Sequence, residues 1–162
     1  MNAVALKAEL ELAAYLRGLT WPAGETVAVV ESYSRGAQSV EDPEKRDQMP
    51  SFPRIIVRCS DSSQVHNDTD VHECSMDVEL QTSADDEEMT GTFNLLQVMS
   101  GGLQELTYGD GWTNLNQAVD GSTPGFDCQF ALPGAYSGSG TNNRARTFSR
   151  SLTLFCRTVM PA

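Results

Sequence analysis

The chain has 162 residues, 22 of them acidic and 11 basic, for a formal net charge of −11 and a pI near 4.4. That length holds one domain with a sizeable core and leaves no room for a large multidomain enzyme. The acidity argues against a basic nucleic-acid binder or a membrane-surface protein, and 40% hydrophobic with 20% charged residues is the balance of a globular chain.

Lys7, Glu9 and Glu11 interrupt the apolar stretch from Met1 to Leu16, so it lacks the uninterrupted run of a signal peptide. No window reaches the roughly 18 to 20 apolar residues of a membrane span. The expectation is a soluble protein made in the cytosol, with no membrane partner.

Residues 3 to 17 (AVALKAELELAAYLR) predict a first helix, with Leu6, Leu10, Ala13 and Ala14 at helical spacing and Gly18 placed to stop it. After the turn Trp21-Pro22-Ala23-Gly24, the β-branched stretch from Thr26 to Ser34 predicts a strand. Arg35 to Pro50 is polar and reads as a long solvated loop. Phe52 to Ser60 alternates Ile55, Val57 and Cys59 against Arg54, Ile56 and Arg58, a second strand. Asp61 to Asp70 has the composition of a hairpin loop.

Val71 to Thr82 alternates most cleanly. His72, Cys74, Met76, Val78 and Leu80 share one side, and Glu73, Ser75, Asp77, Glu79 and Gln81 the other, predicting one dry and one wet face. Ser83 followed by Ala84-Asp85-Asp86-Glu87-Glu88 places a capping hydroxyl and four carboxylates at the positive end of a second helix. That helix is read as running from about 84 to 99 and ending or kinking at Gly101-Gly102. Residues 100 to 124 then read as irregular, with a short helical turn near Leu115. Phe126 to Leu132 is a strand, Pro133 to Asn143 a flexible Gly and Ser loop, and Arg144 to Val159 a last strand with Phe148, Leu152, Leu154 and Cys156 inward.

No repeat or linker divides residues 1–162, so a single domain is expected, with long loops at about 35–50, 100–124 and 133–143. Strands grouped before and after one helix imply an α+β fold, a mainly antiparallel sheet packed by an N-terminal and a central helix, in the order α-β-β-β-α-β-β.

Cys59, Cys74, Cys128 and Cys156 each fall in register with the apolar positions of a separate strand, so buried, reduced cysteines are expected. Their spacing contains no CxxC, which excludes a zinc ribbon or a thioredoxin motif. His72-Glu73-Cys74 has a superficial likeness to part of a zinc deaminase site, but the Pro-Cys-x-x-Cys partner is missing and Glu73 points away from the other two. His66 is the other histidine. Asp61, Asp68 and Asp70 lack the central Gly and terminal Glu of an EF-hand loop. There is no GxSxG, P-loop or helix-opening GxGxxG. The expectation is a protein that is not an enzyme and that takes no metal or cofactor.

Charge geometry remains. Glu73, Asp77 and Glu79 lie along the wet face of one strand, while Arg144, Arg146 and Arg150 line one side of the last, with Arg157 on its other face. From the residues alone, this is a solvated sheet face with local pairs. The functional alternative is a protein that joins basic strand ends to acidic neighbours in an oligomer.

The order of elements, with the hairpin FPRIIVRCSD…VHECSMDVELQT, the helix opening SADDEE and the closing strand ARTFSRSLTLFCR, resembles the tail terminator (tail completion, head–tail joining) proteins of long-tailed bacteriophages, over roughly residues 3 to 158. The resemblance implies a virion neck protein forming a homohexameric ring on the last ring of tail-tube protein. Such a ring stops tube growth, docks the head connector or stopper protein, and lets genomic DNA pass without specific binding. A carboxylate-lined channel repels phosphate and offers no counterion-release gain. From strand alternation, Glu73, Asp77 and Glu79 are then the channel-facing acids and Arg144, Arg146 and Arg150 the intersubunit residues, with the loops at 35–50 and 133–143 as docking arms. The irregular stretch at 100–124 is not part of the family pattern. Alternatives are another neck or tail-tube subunit, an acidic binding protein that mimics DNA or sequesters a basic partner, and, third, a small enzyme.

Overall fold

Helix α1 (Ala3–Arg17) forms where the Ala and Leu content places it and stops at Gly18, whose N–H donates to the carbonyls of Ala14 and Tyr15, both at 3.1 Å. In this computed structural model the described residues are 3–22, 29–33, 53–65, 70–83, 90–108, 115, 125–142 and 145–159. The buried side of α1 is Val4, Ala5, Ala8, Leu12, Ala13 and Leu16. Of the residues expected inside, Leu6 is exposed, Leu10 partly so and Ala14 exposed. The helix carries two apolar sets, and the one turned inward is that which shares its face with Glu9.

Strands β1 (Val29–Ser32), β2 (Arg54–Gln64) and β3 (His72–Ser83) precede helix α2 (Thr90–Tyr108), and β4 (Gly125–Asn142) and β5 (Ala145–Val159) follow it. The chain is α+β, in the order α-β-β-β-α-β-β. The described strands form one five-stranded sheet, ordered β1-β2-β3-β5-β4. β1 runs parallel to β2 and every other neighbouring pair is antiparallel.

Register assigns the faces. Ile55, Val57 and Cys59 of β2, the even-numbered residues Cys74 to Leu80 of β3, and Leu152, Leu154 and Cys156 of β5 are all buried in one core with α1 and with Leu95, Met99, Leu103 and Leu106 of α2. Both helices therefore cover the same side. They also touch each other: the Tyr15 hydroxyl donates to the Gly102 carbonyl at 2.8 Å, and a Cβ on Gly102 would lie 2.5 Å from Leu19 Cδ1.

Three expectations change. β2 continues through Asp61–Gln64, residues read as a loop, because Ser62, Ser63 and Gln64 pair with Cys74, Glu73 and His72 after a bulge at Ser60. Helix α2 passes through Gly101 and Gly102 to Tyr108, so 100–108 is not irregular; the bare α-carbon of Gly102 is where Leu19 packs. Ser83 is the last residue of β3, and the run it is read as capping lies outside the described residues. Residues 133–142, expected as a flexible docking arm, are strand, and β5 supplies the partners that their Gly and Ser content would not. Asn142 pairs with Ala145, leaving two residues between the strands. The loop expected at 35–50, the run 84–88, and Thr26 and Ser34 lie outside the described residues, as does 116–124; Leu115 is described and buried.

Candidate functional site

The sheet face away from the helices carries the polar alternates. Along β3 these are Glu73, Ser75, Asp77, Glu79 and Gln81. β5 contributes Thr147, Ser149, Ser151 and Thr153, and β2 contributes Arg54, Ile56 and Arg58. Glu73, Asp77 and Glu79 thus share this face, as the alternation implies. Asp77 and Glu79 are two positions apart along the strand, about 7 Å, and Glu73 and Asp77 four positions, about 14 Å. Glu73 is exposed and the other two are partly exposed.

Half of the neighbours of this row are serines, and one is a base. Asp77 sits between Arg58 and Ser151, Glu79 between Ile56 and Ser149, and Glu73 between Ser63 and Phe155. Glu79 Oε2 accepts a hydrogen bond from Gln81 Nε2 at 3.0 Å. Among the described residues none of the three carboxylates forms an ion pair. The Arg58 guanidinium stacks on the Tyr33 ring instead, 4.7 Å from its centroid. At the far end of the same face Arg157 gathers two acids, Asp127 at 3.1 Å and Asp70 at 3.5 Å.

The arginines read as intersubunit residues separate. Arg144 lies outside the described residues. Arg146 is half-buried and pairs in register with Thr82. Arg150 is 3% exposed on the helix-covered side, and its Nη1 donates to the Ser100 carbonyl of α2 at 3.4 Å. Its guanidinium ties β5 to α2 within the protomer, which withdraws it from any contact with a neighbour in this conformation.

On the covered side the four cysteines form a row across β2, β3, β5 and β4, all buried and none in a disulfide. Cys74 Sγ lies 3.7 Å from Cys156 Sγ, and Cys128 is the register partner of Cys156. The hydrogen bond with Cys156, reinforced by burial, pushes the Cys74 thiol up to about 12. The Cys59 thiol is raised further, by its hydrogen bond with Cys74, by burial and by the Glu9 carboxylate. Thiols held protonated in this way are poor nucleophiles and poor metal ligands. His72 shares the face of Cys74, and among the described residues no three His, Cys, Asp or Glu side chains are arranged to hold a metal ion. His66 is outside the described residues.

Three features are missing from the sequence reading. Glu9 is completely buried, accepting from the Ser32 hydroxyl at 2.8 Å and from the Cys59 N–H at 2.9 Å. Its signal is a carboxylate in the middle of the apolar stripe Ala5, Ala8, Leu12 and Leu16. Arg54 is 1% exposed, the largest fully buried side chain among the described residues. The Arg157–Asp127 pair appears only once β4 and β5 are in register. No described helix is long and apolar enough to cross a membrane. The chain matches no protein-family model and no curated protein.

Proposed function

We propose that this chain is a structural virion protein, a ring-forming tail terminator at the neck of a long-tailed phage. In this reading it stops tail-tube growth, joins the tail to the head connector and lets DNA through. The observation that carries the reading is the division of the sheet: helices cover one face, and the other presents an acidic row on its central strand, bordered by the hydroxyls of β5. Placed toward a ring lumen, carboxylates held in no ion pair repel the phosphate backbone, while the bases of the same face are engaged, Arg58 on the Tyr33 ring and Arg157 with Asp127 and Asp70, which limits the counterion release that would hold passing DNA. Function then lies in assembly, with six copies of one small domain around a channel.

The second reading is an acidic protein that occupies a basic partner. Carboxylates spaced at fixed distances on one strand of a sheet are what such a partner would recognise, and Glu73, Asp77 and Glu79 meet that description.

Mass and symmetry decide between them. The purified chain is mixed with tail tubes and examined by electron microscopy and light scattering. Tubes capped by a six-fold ring support the tail terminator; a monomer that leaves tubes uncapped and binds a basic protein supports the second reading.

A further inference from the structure

Helix α2 differs in charge from the rest of the chain. Of its 19 residues only Glu105 is charged, whereas the 15 residues of α1 include Lys7, Glu9, Glu11 and Arg17. Its exposed stripe is Phe93, Gln97, Gly101, Gln104 and Tyr108, spaced by four, four, three and four residues and so aligned on one side of the helix. Phe93 is 63% exposed and Tyr108 71%, the most exposed of the large hydrophobic side chains among the described residues. The stripe reads the same in both directions: aromatic, glutamine, glycine, glutamine, aromatic. The point between Ser100 and Gly101 is equidistant from Phe93 and Tyr108, and from Gln97 and Gln104.

We propose that this stripe is a contact between two copies of the chain, with their α2 helices antiparallel across a two-fold axis at the Ser100–Gly101 midpoint. A two-fold contact requires a self-complementary patch. About that midpoint each Phe93 meets the other copy's Tyr108, and each Gln97 amide meets a Gln104 amide that can both donate and accept. The contact extends about 22 Å along the helix. At its centre a Cβ on Gly101 would have nothing within 4 Å, so the helix backbones have room to approach.

Charge identifies the occupant. Two chains of −11 repel each other, and a two-fold contact sets any charge close to the axis against its own image, so a second copy is best received where charge is sparse. Exposed aromatics with few charges are also the composition of interface cores. Glu105 is exposed as well, on the flank of the stripe nearer Tyr15, whose hydroxyl it joins burial in raising. Its image is about 13 Å away along the axis, beyond a Debye length of about 8 Å at physiological salt. Because the rest of each copy repels the other, added salt strengthens this dimer.

The inference does not rest on the tail-terminator reading, since the contact forms without a tail tube and a ring on the tube is a separate measurement. Sedimentation velocity of the full chain alone, over a range of concentrations, tests it. The mass is expected to rise from 17.6 kDa toward twice that value, more readily at 0.5 M than at 0.05 M sodium chloride as used in the test. Phe93→Lys and Tyr108→Glu are each expected to weaken the dimer by about tenfold or more. The double variant is expected to recover, because the two-fold axis sets each new lysine against the other copy's new glutamate. Circular dichroism confirms that each variant is folded. A wild-type chain that stays at 17.6 kDa throughout, or a double variant no better than the singles, overturns the proposal.

Discussion

Glu9 Oε2 accepts the backbone N–H of Cys59 at 2.9 Å, joining α1 to β2 across 50 positions of sequence, while Oε1 of the same carboxylate takes the Ser32 hydroxyl of β1. One buried side chain therefore fixes the helix against both strands of the parallel pair. Replacing it by alanine leaves a buried N–H without its acceptor and a void beside Leu12, a loss of about 3 kcal/mol in urea unfolding. Glu9→Gln keeps one carbonyl oxygen for Cys59 and fills the volume, so about 1 kcal/mol is expected. Equal losses in the two variants would show that packing alone, and not the hydrogen bonds, holds this junction.

Adjacent glycines in α2 are expected to respond with opposite sign. Gly101→Ala adds a methyl to open space and gains helix propensity, worth about 0.5 to 1 kcal/mol. Gly102→Ala gains the same propensity but must displace Leu19, for a net loss of about 1 kcal/mol. In β4, a Cβ on Gly134 would lie 2.4 Å from the Ser151 carbonyl oxygen, a backbone atom that cannot swing aside. Gly134→Ala is therefore expected to cost about 2 kcal/mol or more. Thermal unfolding in dilute solution ranks the three, and a stabilising Gly102→Ala would refute the packing argument.

The cysteine row sets a pH dependence. A thiol whose folded value is raised binds its proton more tightly in the native state, so stability is full below the unfolded thiol's ionisation near 9 and declines above it. For Cys74 the decline continues until about pH 12. Urea midpoints measured from pH 7 to 10.5 should fall at the alkaline end, and Cys74→Ala should flatten part of that fall. Ellman's reagent should find no rapidly reacting thiol in the native protein and four after unfolding.

Strand alternation made β3 legible, because its hydrophobic period matches a sheet with one covered face and every contact it needs is of one kind. Helix α1 was legible as a helix but not in its orientation: two apolar stripes compete, and only the long-range bonds of Glu9 choose between them. β4 beyond Leu132 was not legible at all, since Pro133, Gly134, Gly138 and Gly140 describe a loop until β5 supplies the pairing. The same applies to α2, where the glycine pair reads as an end until Leu19 is known to fill the space above Gly102. In the candidate site, the shared face of Glu73, Asp77 and Glu79 follows from period two, whereas the burial of Arg150 depends on a helix 50 residues away.

The acidic row gives the proposed function its most direct test. Glu73, Asp77 and Glu79 make no ion pair among the described residues, so exchanging them for lysine removes only the Gln81 contact of Glu79 and should leave the monomer folded within about 1 kcal/mol. If the row faces a channel, the triple variant still caps tail tubes, but cations now lie along the path of the phosphates. DNA should then be retarded, most severely at low salt, where counterion release favours binding most. Capping is read by electron microscopy and DNA passage by ejection from assembled particles. Loss of capping with a folded monomer would place the row at a subunit contact instead of the lumen.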